Sequence, residues 1–344
     1  MRITNQMMST SYMNDLNKNL NKLNTLNKQL TTGKEISRPS DNPFKTARIM
    51  QMYSDIAANE QYNENIKDTI SWLDTTDTAL DQLGNASQRI RELMVSAGNA
   101  SYGSDELKAI KDEINEKISE VAQILNTNYD GKYIFGGTKS TSKPVGVEQD
   151  VDGNNVLVFK AADGTSFNEE GKKFVYDANG KIAKDGNGNL MTEADATYED
   201  LIKQMETGVS VEVSSGVTME YNVGAPSVVS LNNGTSLVSL LNNIVNNLDD
   251  GKSSEILSKN LEDIDSIITN ISSVRGEVGA KQNRMDSAKT QNEEQNINME
   301  EILSNTEDID IAEKTIDLAT LQAIYQASLQ VSASIVQKSL VDYI

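Results

Sequence analysis

The chain has 344 residues, a formal net charge of −20, and neither cysteine nor histidine. The lack of both residue types excludes disulfides, thiolate nucleophiles, serine–histidine triads and zinc sites built on those ligands. The excess of 51 acidic over 31 basic residues would repel nucleic-acid phosphates and anionic lipid headgroups, so we expect neither as a partner.

Apolar residues are sparse: they make up 37% of the chain, and aromatic residues 5%. This composition favours long helices that bury narrow apolar stripes over one thick globular core. No stretch approaches the ~20 consecutive apolar residues of a membrane span. The first residues also lack the apolar run of a cleavable signal peptide. We therefore expect no membrane insertion, and export would need another apparatus.

The first helix is predicted to carry an apolar stripe from Met13 onward and to end at Gly33, which suits a helix C-cap. The stripe consists of Met13, Leu16, Leu20, Leu23 and Leu30, which follow three- and four-residue steps with the polar Asn27 in register. On an asparagine-rich helix it buries too little surface alone to offset conformational entropy. We interpret it as an assembly seam that needs partner helices.

Two longer helical segments are predicted to follow. The first begins at Pro43, with Asn42 as its cap, and runs to about Gly98, which is roughly 80 Å at ~1.5 Å per residue. One face of it carries Leu73, Thr76, Leu80, Leu83, Ser87, Ile90 and Met94. The second begins at Ser104 and is expected to fold back antiparallel to the first.

A β-rich segment is predicted from about residue 141 to 226, with a short helix near residues 198–206. It contains alternating runs at 156–159, 209–213 and 217–221. The runs are separated by hairpin signals, Asp152-Gly153, Asp163-Gly164, Asn179-Gly180 and Asp185-Gly186. We therefore predict a small β-rich domain inserted between two helical halves.

Helical periodicity returns near Ser236. The last helix is predicted to start at Ser304, because Ser304 and Glu307 have capping-box spacing. It carries a second assembly seam, formed by Leu321, Ile324, Val331 and Ile335. The two seams can pair with each other and with those of neighbouring copies. Closure of the ends within a single chain is the alternative.

The features that could carry chemistry have simpler explanations. Asp185 opens a stretch of alternate oxygen donors, but an EF-hand would need glycine where Leu190 stands and glutamate where Ala196 stands. Paired carboxylates such as those at 293–294 suit a solvated helix face, and Trp72 beside the apolar stripe suits packing. We therefore predict no catalytic residue, no cofactor and no metal site.

Five segments resemble the flagellin superfamily, and within it the hook–filament junction proteins. Residues 30–43 contain Thr-Gly-Lys followed by Arg-Pro-Ser-Asp and a proline, a pattern similar to that of the junction proteins. Residues 133–138 resemble the strand by which the chain of those proteins leaves the helical rod, and residues 307–313 resemble the superfamily's C-terminal entry motif. Residues 88–95 and 274–286 resemble signatures of the superfamily's helical rod. Their characteristic residues are Arg89, Arg91, Glu92, Leu93, Arg284 and Asp286.

The resemblance implies a mainly α fold with a β-rich insert, in which a long antiparallel helical-bundle rod is made from the N- and C-terminal halves. Residues 1–42 and 300–344 would form a terminal coiled-coil assembly region. Residues 43–140 and 236–299 would form the rod, and residues 141–235 a β-rich domain facing outward.

The resemblance further implies an extracellular, non-catalytic subunit that joins the flagellar hook to its filament. Expected partners are copies of the chain itself, hook-associated protein 1 on the hook side, flagellin on the filament side, and a chaperone on the C-terminal region during type III export. Two alternatives stay open: the main filament subunit, and a secreted coiled-coil adhesin whose insert binds a ligand. A hydrolase that uses carboxylates of the insert has only acidic residues in its favour.

In the monomer, we expect the backbone amides of Leu20 and Val331 to exchange rapidly with solvent, because their seams lack partners until assembly. Hydrogen exchange on a preparation shown to be monomeric measures this. Strong protection at both positions would contradict the interpretation of the seams.

Overall fold

A computed structural model of the chain describes residues 5–98, 103–185, 188–230, 236–249 and 259–341. Its helices are α1 (Asn5–Thr32), α2 (Pro43–Ala97), α3 (Ser104–Leu125), α4 (Glu199–Glu206), α5 (Ala225–Val229), α6 (Leu237–Asp249), α7 (Leu261–Glu307) and α8 (Ile311–Val341). Its strands are β1 (Asn128–Tyr129), β2 (Lys132–Tyr133), β3 (Val145–Gln149), β4 (Asn155–Lys160), β5 (Ser166–Phe167), β6 (Ser210–Ser214) and β7 (Val217–Glu220). The mainly helical fold with a β-rich insert is confirmed.

Contacts divide the chain into two compact units. The terminal unit comprises Met1–Gln61 and Glu293–Ile344, and the central unit comprises Tyr62–Asn292. Within the described ranges, no helix combines the length and the apolar character needed to cross a bilayer. The predicted division into assembly region, rod and outer domain stays a prediction.

Most helix boundaries follow the local signals in the sequence. Gly33, with φ of +73°, ends α1 and donates its N–H to the carbonyl of Gln29 at 2.8 Å. Asn42 caps α2, because its Oδ1 accepts the N–H of Lys45 at 3.1 Å. These predicted caps are therefore confirmed, as is the start of α3 at Ser104.

The predicted start of the last helix at Ser304 is wrong. Helix α7 continues to Glu307, and α8 begins at Ile311. Asp310 provides the cap, since its Oδ1 accepts the N–H groups of Ala312 and Glu313 at 2.8 and 3.1 Å. The capping box fails because both of its side chains have other partners. Ser304 donates to the Asp308 carboxylate at 2.7 Å, and Glu307 binds the other end of the chain.

The central unit has a main core that runs along its helices into the insert, and a second, smaller apolar cluster within the insert. The stripe predicted on α2 is fully buried, including its polar members Thr76 and Ser87. It meets apolar residues of α3, α7 and the strands, among them Ile114, Ile118, Val121, Ile264, Ile271, Val278, Phe135, Phe159 and Phe167. Helix α7 runs antiparallel to α2, because Arg275 of α7 binds Asp77 at 2.9 Å while Asp265 binds Arg91 at 2.5 Å.

The insert is built from antiparallel hairpins. Strand β4 pairs with both β3 and β5, and β6 pairs with β7. Four turns share one arrangement: the first side chain accepts following backbone N–H groups, and the glycine three positions later has positive φ. They start at Asp150, Asn168, Asp177 and Asp185. The Asp185 segment is therefore a turn of this type; its predicted glycine Gly186 lies outside the described residues.

The insert also contains a buried ion pair. The Asp150 carboxylate is fully buried and binds Lys184 Nζ at 2.5 Å, and Lys184 also contacts Asp152 and Asn246 at 2.8 Å. Burial alone would lower the pKa of Lys184, but its hydrogen bonds to Asp150 and Asp152 raise it above the usual value. Loss of Lys184 would leave Asp150 as a buried carboxylate without a counter-charge, held only by N–H donors such as that of Asn154.

Lys184→Met should lower the free energy of unfolding by about 3 kcal/mol, because it leaves the Asp150 carboxylate buried without its cation. Urea unfolding followed by circular dichroism measures the change. The matched control is Lys173→Met, which removes an exposed lysine 4.0 Å from Glu193 and should change stability by less than about 1 kcal/mol. Equal effects of the two substitutions would contradict the role of burial.

Candidate assembly site

The two ends of the chain form an antiparallel helix pair in the terminal unit. Helices α1 and α8 pack together, and the hydroxyl of Tyr12 donates to the backbone carbonyl of Ser328. At the other end of the pair, the N–H of Ile309 donates to the carbonyl of Gly33 at 3.1 Å. The expected pairing of the two terminal stripes is therefore observed within one chain.

Helix α8 is apolar on two opposite faces. Leu318, Leu321 and Tyr325 are half-buried, on the same face as Ser328, which α1 contacts. Ile316, Ile324 and Val331 are 67, 45 and 49% exposed. We call this second side the open face of α8; it also carries exposed alanines, Ala319, Ala323 and Ala327. A surface helix of a globular protein normally carries one apolar face toward a core, so the second apolar face of α8 calls for a second partner.

The residues of the predicted seams divide between these environments. Leu16, Leu20, Leu23, Leu30 and Leu321 are half-buried and lie in the helix pair. Met13 is 50% exposed, and Ile324 and Val331 belong to the open face. The backbone of Ile335 belongs to α8, but the structure does not describe its side chain. As assembly contacts, all of them stay predictions.

A polar clasp holds the chain where α1 ends and α7 ends. Lys34 Nζ lies 2.6 Å from Glu307 Oε1, the Tyr53 hydroxyl donates to Glu307 Oε2 at 2.5 Å, and Lys34 also donates to the Tyr53 hydroxyl at 2.9 Å. The backbone joins in, since the N–H of Glu35 donates to the carbonyl of Glu307 at 2.7 Å. Hydrogen bonds to Glu307 and then to Tyr53 raise the pKa of Lys34, so the lysine stays charged.

The clasp was missed by the sequence analysis. Lys34 and Glu307 are separated by 273 positions, and neither lies on an apolar stripe. The only signal was that both residues fall in segments that resemble the flagellin superfamily. The clasp brings those two segments, 30–43 and 307–313, into contact.

The rod residues singled out by resemblance lie in the central unit, mostly at helix–helix contacts. Arg89 binds Glu113 of α3 at 2.7 Å and Glu92 at 3.1 Å, while Arg91 binds Asp265 of α7. Leu93 is buried in the core between these charges. Arg284 and Asp286 differ, because both are exposed on either side of the fully buried Met285. Arg89 and Arg91 thus connect α2 to α3 and α7.

Many charged side chains of the described residues form ion pairs, such as Arg91 with Asp265 and Lys34 with Glu307. No group of three or more side chains with metal-binding chemistry occurs among the residues that the structure describes.

A solved structure of a flagellar protein shares this fold. A putative flagellar hook-associated protein from Vibrio parahaemolyticus superimposes with a TM-score of 0.57 at 16% identity, covering 78% of this chain and all of that one. Flagellar hook-associated protein 3 from Legionella pneumophila has a TM-score of 0.49 at 17% identity, covering 75% of this chain and 98% of that one.

Sequence comparisons point to the same group of proteins. Phase 1 flagellin of Salmonella naestved is 29% identical over 157 residues, which are 45% of this chain and 30% of that flagellin. The bacterial flagellin N-terminal helical region matches residues 3–140, and the bacterial flagellin C-terminal helical region matches residues 261–344. Together these matches cover more than half of the 344 residues, and on that ground the chain belongs to the bacterial flagellin family.

Proposed function

We propose that the chain is a structural, non-catalytic subunit of the bacterial flagellum that joins the hook to the filament by helical self-assembly. The observation that carries this proposal is the open face of α8, where Ile316, Ile324 and Val331 remain exposed after α1 has covered the opposite side. In an assembled tube, helices of neighbouring copies would cover this face. Burying these side chains would contribute ~1.5–3 kcal/mol each.

The junction role is preferred over that of the main filament subunit because the Vibrio structure, which superimposes with a TM-score of 0.57, has a hook-associated name. A flagellin role accounts for the same open face and is the second candidate. An adhesin role has no comparable observation in its favour.

The same proposal assigns the partners and the location. Copies of the chain would contact one another through the open face, with hook-associated protein 1 on the hook side and flagellin on the filament side. The protein would reach the cell exterior through the flagellar export apparatus. An export chaperone would bind the C-terminal region before assembly, since the open face would otherwise be exposed to solvent.

Ile324→Asp combined with Val331→Asp should raise the protein concentration needed for assembly at least about tenfold, because it places two charges in the contact between copies. Analytical ultracentrifugation and the motility of a complemented deletion strain measure assembly. The control is Gln322→Asp with Gln326→Asp, which adds the same charges to exposed positions of α8 beside the open face. Both variants should keep the wild-type helix content.

Assembly of the Ile324→Asp, Val331→Asp variant at wild-type concentration would contradict the proposed role of the open face.

Immunogold labelling of isolated flagella should place the protein in a short zone between hook and filament. Labelling along the whole filament would instead establish the main-filament role. Normal flagella and normal swimming after deletion of the gene would contradict both flagellar roles.

A further inference from the structure

Phe44, in the first turn of α2, is 85% exposed, the highest value among the large apolar side chains of the described residues. Arg48 follows one turn later on the same side of the helix and is also exposed. Its guanidinium forms no ion pair with a residue in the described ranges. Aromatic residues and arginine are enriched in protein interfaces, so this surface, the Phe44 face, has the composition of a protein contact.

A second exposed surface of the terminal unit lies on α7 around Ile297, which is 64% exposed. Four exposed glutamates surround it at three and four positions on either side: Glu293, Glu294, Glu300 and Glu301. None of these carboxylates forms an ion pair with a residue that the structure describes. This surface, the Ile297 face, therefore has an apolar centre and a negative border that attracts cations.

The two faces lie too far apart to meet within one chain. The side chain of Asn59 on α2 donates to that of Asn296 on α7 at 2.9 Å, so Ile297 lies level with Asn59. Phe44 precedes Asn59 by 15 residues of the same helix, which is about 22 Å at ~1.5 Å per residue. Contact between the faces therefore requires two copies of the chain.

We infer that the Phe44 face of one copy docks on the Ile297 face of the next. Phe44 packs on Ile297, and the Arg48 guanidinium binds one of the surrounding carboxylates, so the contact matches apolar centre to apolar centre and positive to negative charge. Because two different surfaces meet, every copy uses both faces, and the contact repeats from copy to copy. The inference rests on the proposed function, since it needs a chain that assembles, and it adds a contact separate from the open face of α8.

Cysteine cross-linking tests the contact directly, because the chain has no cysteine of its own. Phe44→Cys combined with Ile297→Cys should give a ladder of disulfide-linked dimers, trimers and longer species when isolated flagella are mildly oxidised. Either substitution alone should give no ladder. The matched control, Phe44→Cys with Lys143→Cys, moves the second thiol to an exposed position of the insert and should give none either.

Charge reversal tests the electrostatic part of the contact. Arg48→Glu should raise the protein concentration needed for assembly at least about tenfold, and so should Glu300→Arg combined with Glu301→Arg. An equimolar mixture of these two variants should assemble near the wild-type concentration, because each reversed face then meets a face of opposite charge on the other variant. Lys143→Glu makes the same charge change as Arg48→Glu at an exposed position of the insert and should assemble as the wild type does. Circular dichroism should show the wild-type helix content for all variants.

Three results would overturn the inference and leave the proposed function intact. One is assembly of Arg48→Glu at the wild-type concentration. Another is a mixture that assembles no better than its two components, which would mean that a different partner covers the Phe44 face. The third is a cross-linked ladder that the Lys143→Cys control gives equally. Failure of the wild type itself to assemble would instead contradict the proposed function.

Discussion

The terminal unit depends on one imbalance: α8 is apolar on two opposite faces, while α1 covers one of them and the described residues leave the other largely exposed. Helix α1 covers the side of Leu321 and leaves Ile316, Ile324 and Val331 in solvent. No rearrangement of a single narrow stripe can cover both sides of a helix. In the proposed assembly, helices of neighbouring copies would cover the side that α1 leaves exposed.

The clasp of Lys34, Tyr53 and Glu307 makes that arrangement possible, because it fixes where the two ends of the chain meet. A short backbone bridge between Lys34 and Asp308 sets the register at the same point. The apolar core of this unit is small, with Leu26, Ile49, Ile56 and Leu303 as its buried members. Polar contacts of defined geometry consequently carry much of the specificity there, as polar groups do in coiled coils.

Apolar residues make up only 37% of the chain, and the central unit buries its share of them differently from the terminal unit. It joins α2, α3 and α7 to the insert through its main core, and a second, smaller apolar cluster lies within the insert. The described helices of this unit therefore bury their apolar stripes within the chain itself.

Local signals in the sequence determined the helices, the caps at Gly33 and Asn42, the buried stripe of α2 and the turns of the insert. Each depends on residues within a few positions of one another, and periodicity and turn chemistry report such short-range order. Only the tertiary structure decided that α8 starts after Asp310, that Glu307 binds Lys34, and which side of α8 stays open. The start of α8 is capped locally by Asp310, but Glu307 is unavailable as a capping residue because it binds Lys34. That contact and the side of α8 that α1 covers depend on partners hundreds of positions away, and one sequence carries no record of which distant residues meet.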